Sequence, residues 1–455
     1  MALSALYHIL PESSITFQPQ GGGAAAPLFV TALLLLFPQF PVILRQREVT
    51  AMPLSPMKKT LLIPSLLDDW FPLLRYAFAS ERWEPVLLDG DWREAESLGM
   101  RHVHNDLCVP FVLITGQVLA ALRSGMYEPG RTGVLISQAG DACRGSCLIR
   151  LLRKVLDREG FSQVQLLSLN VRGIDRGAAL PVGPRMALRA RAALFWGDAL
   201  AAMVHQTRPY EASSGAADAL RRKWLDLLGR DLAKDRGLSG RAILRRCREM
   251  AADFRRLPVK AGRRQVIAVT GDIYTKNCHL GNRDLVRWLE AHGCETAVNG
   301  MSWYVLYYID THLDVWPRPA RLGGKLLGAH LERLQRGMLD TLRAAGFTAL
   351  PPYRALKAQA AGLAPMSCAL GAGWLMAAEM AGWVRSGRRK VLCCQSFGCL
   401  PGHICARGQY ASLMRKLPGS LIVGVDFDPS TGEGTLESRI RMLLDEDLDL
   451  PPLRE

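Results

Sequence analysis

The sequence predicts an α/β protein made of two parallel-sheet domains, Rossmann- or flavodoxin-like, joined by a helical connector. Three observations carry that expectation. Short, continuously apolar runs such as TGVLISQAG (132–140) and KVLCCQ (390–395) alternate with amphipathic stretches, as in parallel strands covered on both faces by helices. Residues 185–257 interrupt the alternation and hold no strand-like run. The alternation then resumes at RQVIAVTGDIY (264–274). At 455 residues the chain is also too long for one ordinary core.

The first domain is expected over 58–175. TLLIPS (60–65) reads as a strand, DWFPLLRYAFASE (69–81) as a helix and EPVLLD (84–89) as a strand. PFVLITGQVLAALRSGMY (110–127) is helical, TGVLISQAG a buried strand, CRGSCLIRLLRKVLDREGF (143–161) a helix stopped at Gly160, and VQLLSLN (164–170) a last strand. In the connector, 176–262, apolar residues recur at helical spacing through three stretches. The second domain, 263–455, opens with the strand 264–274, then the helix NRDLVRWLEAHG (282–293) and the strand CETAVNG (294–300). A long helical stretch over 322–345, the helix GAGWLMAAEMAGWVRSG (371–387), the strands KVLCCQ and SLIVGVDFDP (420–429) and a terminal helix complete it.

Residues 1–57 do not conform. APLFVTALLLLFPQFPVILR (26–45) approaches the length of a bilayer span. It is broken by Pro38 and Pro41, no basic n-region precedes it and it lacks a small-residue cleavage motif. The expected start of the folded protein is Met52 or Met57, with a membrane anchor as the alternative. A cytoplasmic location without a membrane partner follows from the first of these.

The chain carries a net charge of +15, and 19 Lys and Arg face only 8 Asp and Glu between Arg185 and Arg264. Basicity spread along the whole chain would suggest nucleic acid; basicity confined to the connector does not. Such a segment suits an acidic protein partner, coenzyme phosphates or a solvated helical face.

The chemistry-bearing residues are cysteines. Eleven of them, an odd number, are unevenly spaced, which fits reduced thiols better than a disulfide framework. CQSFGCLPGHIC (394–405) alone holds three. Cys108, Cys143 and Cys399 each fall between one element and the start of a helix, where ligands gather in open α/β sheets. The helix dipole there is expected to lower a thiol's pKa. Zinc would ask for short paired knuckles, which neither Cys143/Cys147 nor Cys399/His403 supplies. Soft thiolates spread singly over two domains suit an iron–sulfur cluster; three of them on a four-iron cube leave one iron open. Cys147, Cys278 and Cys405 are further ligand candidates for a larger, double-cubane cluster. Cys247, Cys294, Cys368, Cys393 and Cys394 read as core fillers. His403 is a candidate proton donor or helix cap, and Asn105 and Asp106 either position N–H groups around Cys108 or form a turn.

Several stretches in order, covering about 58–450, resemble the 2-hydroxyacyl-CoA dehydratase / benzoyl-CoA reductase superfamily, and its activase-related branch in particular. They are GMRHVHNDLCVPFVLITGQVLAALRSGMY, GVLISQAGDACRGSCLIRLLRKVLDREGF, RPYE (208–211), GDIYTKN (271–277), GWLMAAEM (373–380), QSFGCLPGHI and VDFDP. The resemblance implies that Cys108, Cys143 and Cys399 ligate a [4Fe–4S] or larger cluster. It implies an ATP-dependent activator as electron donor and an acyl-CoA or small-molecule substrate, reduced by one electron through a ketyl radical where the substrate is a thioester. A dimer is among the expected assemblies. Without a Walker A loop, the activator would be a separate chain. The sequence departs from the family at Ser396 (usually Pro), Gly402 (usually Asn) and Ala372 (usually Glu). The last departure points to an alternative, a non-catalytic electron-transfer or cluster-carrier protein; a clusterless regulatory relative whose cysteines only pack is a further one.

Overall fold

A computed structural model of the chain describes residues 58–446 apart from 105–106, 138–142, 170–177 and 316–317. The extension 1–57, with its anchor alternative, and the pair Asn105 and Asp106 lie outside the described residues. No described helix is long and apolar enough to cross a membrane.

The protein is mixed α/β with two four-stranded, all-parallel sheets. The first comprises β1 (Lys59–Ile63), β2 (Trp83–Leu87), β3 (Thr132–Ser137) and β4 (Gln165–Leu169) in the order β2-β1-β3-β4. The second repeats that order as β6-β5-β7-β8, from β5 (Gln265–Gly271), β6 (Cys294–Val298), β7 (Lys390–Ser396) and β8 (Leu421–Phe427). Pro85 is tolerated because β2 is an edge strand. β7 is central and buried at every position, the reason its sequence is apolar without alternation. In both sheets the order reverses between the first and third strands, so a crevice opens at their carboxyl ends.

The connector folds as three helices, Pro184–Thr207, Ala216–Ala233 and Gly240–Arg255. It is not a free-standing linker. Phe195, Trp196, Cys247 and Phe254 share one core with Trp303, Leu334, Leu342 and Trp374 from the second half. Part of its positive charge is turned inward: Arg189 meets Asp235 at 2.6 Å, Arg246 meets Asp231 at 2.7 Å, and Arg208 grips both oxygens of Glu290 at 2.7 Å. Most of its cations, Arg222, Lys223, Arg241, Arg245 and Arg248 among them, remain exposed. The RPYE stretch is therefore a clasp. Besides Arg208, Tyr210 donates to Glu295 at 2.7 Å, and Glu211 accepts from Gly215 and Ala217 at the start of the next helix.

Helices at Trp92–Met100, Met301–His312 and Tyr353–Ala360 are additional to the elements expected from the sequence. The second is apolar and aromatic nearly all round, so it shows no amphipathic stripe. Its first turn is held from a distance. Asp198, on Pro184–Thr207, accepts from Trp70 Nε1 at 2.8 Å, Met301 N at 2.7 Å and Ser302 N at 3.0 Å. This one buried carboxylate ties the first domain, the connector and the second domain together.

His279 makes a second tie between the halves. Its Nδ1 lies 2.8 Å from Asp68 and its Nε2 3.2 Å from Asp89. The hydrogen bond to Asp68, with both carboxylates adding attraction, raises its pKa to about 9 against the opposing pull of burial. An imidazole raised in the folded state stabilises fully below the unfolded value near 6.5 and loses that contribution as pH climbs through about 9. The wild-type melting temperature is therefore expected to fall between pH 7 and 9.5 more steeply than that of His279→Gln. Parallel curves for the two proteins would show that the pair contributes nothing.

Candidate functional site

A cavity of about 500 Å³ lies at the carboxyl ends of β1 and β3 on one side and β5 and β7 on the other. Cys108, Cys143 and Cys399 all line it. The two crevices expected from strand order thus face each other across one hollow.

Each cysteine is held by its own local chemistry. Cys108 is the N-cap of the helix Val109–Arg123, with Pro110 in the first turn where its missing N–H costs nothing. That helix is seated by a tight crossing: a Cβ on Gly116 would stand 1.8 Å from the Ala95 carbonyl oxygen, so only glycine fits. Gln117 on the same helix accepts from Ser65 N at 2.9 Å and donates to Ser65 Oγ at 2.9 Å, fixing it to the end of β1. Cys143 caps a short 3-10 turn, its sulfur accepting from Gly145 N at 3.4 Å. Cys399 follows β7 after Gly398, whose φ of +78° makes the sharp turn. Its sulfur accepts from Gly402 N at 3.3 Å.

Gly398 also measures the convergence. A Cβ built on it would lie 3.5 Å from Cys108 Cα and 3.0 Å from the Arg144 guanidinium. The three cysteine-bearing segments therefore touch.

The expected lowering of the thiol pKa is corrected by the structure. Burial, then the neighbouring Cys143 and Asp272, pushes Cys108 up to about 12. Burial and Asp272 raise Cys399 further, against the help of Gly402 N–H, with Cys143 and Cys108 adding to the rise. The dipole at a helix start is outweighed by desolvation and crowding of like charge. A bound cation reverses that balance and draws the protons off.

The other candidates fall elsewhere. His403 does not line the cavity; its Nδ1 lies 2.8 Å from the Cys399 carbonyl oxygen and its Nε2 3.5 Å from Asp426. Cys147 is exposed. Cys278 is fully buried in the first domain's core beside Tyr274. Cys405 is hydrogen-bonded to Cys368, with burial raising its pKa to about 12. Cys247, Cys294, Cys393 and Cys394 are buried, as core fillers should be.

Asp272, within GDIYTKN, is a residue whose role the sequence does not disclose. One carboxylate oxygen accepts from Tyr274 N and Thr275 N at 3.0 Å each; the other accepts from Ser396 N at 2.6 Å and from the Thr275 hydroxyl. It locks the ends of β5 and β7 together beneath the cysteines. The bond to Ser396 N gives a physical reason for the departure at that position, since proline has no N–H to offer. Two other stretches meet in a buried ion pair: Lys276 of GDIYTKN lies 3.0 Å from Glu379 of GWLMAAEM, which also accepts from Asn299 at 3.0 Å. Ala372 is buried in the cavity wall, where a carboxylate would face the hollow.

No family model matches the chain, and no curated protein matches it either.

Proposed function

We propose that the chain is an iron–sulfur protein of the 2-hydroxyacyl-CoA dehydratase type, built from two flavodoxin-like halves, with Cys108, Cys143 and Cys399 as cluster ligands. The observation that carries this is the meeting of three thiols from both halves on one cavity at the sheet ends. The shared strand order 2-1-3-4 supports the flavodoxin-like description. Among the described residues no three His, Cys, Asp or Glu side chains are grouped as a single metal ion would need; the corners of a cube ask for a wider spacing. When bound, such a cluster supplies single electrons at low potential and an iron open to substrate.

The chain's own groups prepare the site. Gly145 N–H and Gly402 N–H point at two of the sulfurs, where they stabilise thiolate. Asp272 fixes the turn that carries Cys399. The aromatic helix Met301–His312 contributes Met301, Tyr304, Val305, Tyr308 and Ile309 to the wall. An ATP-dependent activator would donate the electron in the cytoplasm, with the exposed cations of the connector as its dock. A second reading, a cluster carrier without turnover, is favoured by Ala372, which puts a methyl group in the wall where the family usually has a glutamate. Anaerobic purification and an EPR spectrum after dithionite reduction test the cluster: a signal is expected, and its absence with no bound iron overturns the proposal. Turnover of a 2-hydroxyacyl-CoA panel with activator, ATP and reductant separates enzyme from carrier.

A further inference from the structure

Two thiols outside the cavity form a pair that the cluster reading leaves without a task. Cys368 and Cys405 are hydrogen-bonded to each other through their side chains, and both are free thiols. Neither lines the cavity. Cys393 and Cys394 are closer in sequence, but as neighbours in β7 they point into different cores and do not meet.

The pair joins two stretches that are already packed together. Cys368 lies in the irregular stretch 361–372, and its carbonyl oxygen accepts from Trp374 N at 2.7 Å where the helix Gly373–Arg385 begins. Cys405 lies in the π-helical turn Gly402–Ala406, a rare backbone form frequently found at functional sites. The stretches touch beside the thiols: a Cβ on Gly371, whose φ is +53°, would stand 2.9 Å from the Pro401 ring. Cys405 is 6% exposed, whereas Cys368 is half-buried and is the one a small reagent reaches first. Thiols in hydrogen-bond contact need only a small approach to bond. Cys368 has no helix or strand of its own to resist that approach.

A bond here would act on the site. Gly371 and Ala372 from the first stretch line the hollow, as do Cys399, Leu400 and Pro401 from the second. A link between Cys368 and Cys405 fixes these two parts of the wall to each other from outside the hollow.

We infer that Cys368 and Cys405 are a redox site: they close a reversible disulfide by exchange with a small disulfide such as oxidised glutathione, and so staple the stretch 361–372 to the turn that follows Cys399. The Cys368 sulfur, as thiolate, attacks one sulfur of the small disulfide and expels a small thiolate, leaving a mixed disulfide. Cys405 then attacks the Cys368 sulfur and expels the second small thiolate. Each protein thiol gives its proton to one departing thiolate. The chain loses two electrons and two protons, and the reagent becomes two thiols. The inference goes beyond the cluster reading and does not depend on it.

The test uses the anaerobically purified full chain, exposed to oxidised glutathione, alkylated with N-ethylmaleimide in denaturant and mapped by tryptic mass spectrometry with fragmentation. A link from Cys368 to Cys405, reversed by dithiothreitol, is expected. Cys368→Ser and Cys405→Ser are each expected to lack it, and Cys399→Ala to keep it. The linked protein is expected to melt about 2 °C or more above the same sample after dithiothreitol, and Cys405→Ser to show no such difference. Alkylation of both thiols after the exposure, a mixed disulfide that stays on Cys368, a link to Cys399 in place of Cys405, or a linked form that melts no higher would each overturn the inference. The wild-type map decides the pairing even where a serine variant folds poorly. Iron analysis before the exposure keeps the two readings apart. A link in protein without iron removes the cluster and leaves this site standing; iron without a link does the reverse.

Discussion

Asp198→Ala is expected to unfold at markedly lower urea, with a loss of about 3–5 kcal/mol. The carboxylate is 3% exposed and is the common acceptor for three buried N–H groups drawn from two other parts of the fold. Alanine strands all three donors, each at a cost of about 1–3 kcal/mol, and removes the remote cap of Met301–His312. Gly300 shows how closely the pieces fit: a Cβ there would lie 2.5 Å from the Asp198 carboxyl carbon. Burial pushes the carboxyl's pKa up, with the N–H donors pulling the other way. Asp198→Asn keeps one acceptor oxygen and is expected to lose less than the alanine variant. Urea midpoints at an unchanged m-value are the measurement, and an alanine variant within about 1 kcal/mol of wild type would refute the tie.

The second large effect is chemical. If the proposed cluster is present, Cys399→Ala is expected to bind less iron than the wild type while keeping most of its stability, because the side chain is partly exposed on a turn. Cys278→Ala is expected to do the opposite. That sulfur is 0% exposed within the first domain's core and lies off the cavity, so its removal weakens the fold and leaves iron in place. Cys147→Ala, at an exposed position, is expected to change neither quantity. Parallel metal analysis and thermal melts on the three variants distinguish ligand from filler. Iron loss in Cys278→Ala at full stability would move the site away from the cavity.

How much of this was legible in the sequence follows from the physics of each signal. The continuous runs of β3, β5 and β7 announced parallel central strands, because burial on both faces erases alternation. The connector's helices were plain from spacing, but its merger with the second half was not: Trp196 and Cys247 look like any amphipathic face until Leu334 and Trp374 arrive from far along the chain. Cys108, Cys143 and Cys399 could be picked out as residues at the starts of helices. Asp272 gives no distinct signal, since Gly-Asp after a strand is common in any α/β fold. Met301–His312 stayed hidden because an aromatic helix buried nearly all round has no period to detect. The pKa expectation failed on magnitude: a helix-end dipole is a fraction of a charge, and desolvation of a thiolate beside Asp272 and two other thiols exceeds it.

Iron and acid-labile sulfide per chain, determined on anaerobically purified protein, test the central claim most directly. Four or more irons with matching sulfide, lost from Cys108→Ala, Cys143→Ala and Cys399→Ala alike, is the expected result. A well-folded wild-type protein without iron or sulfide, or one that keeps its full complement after any one of those three substitutions, would contradict it.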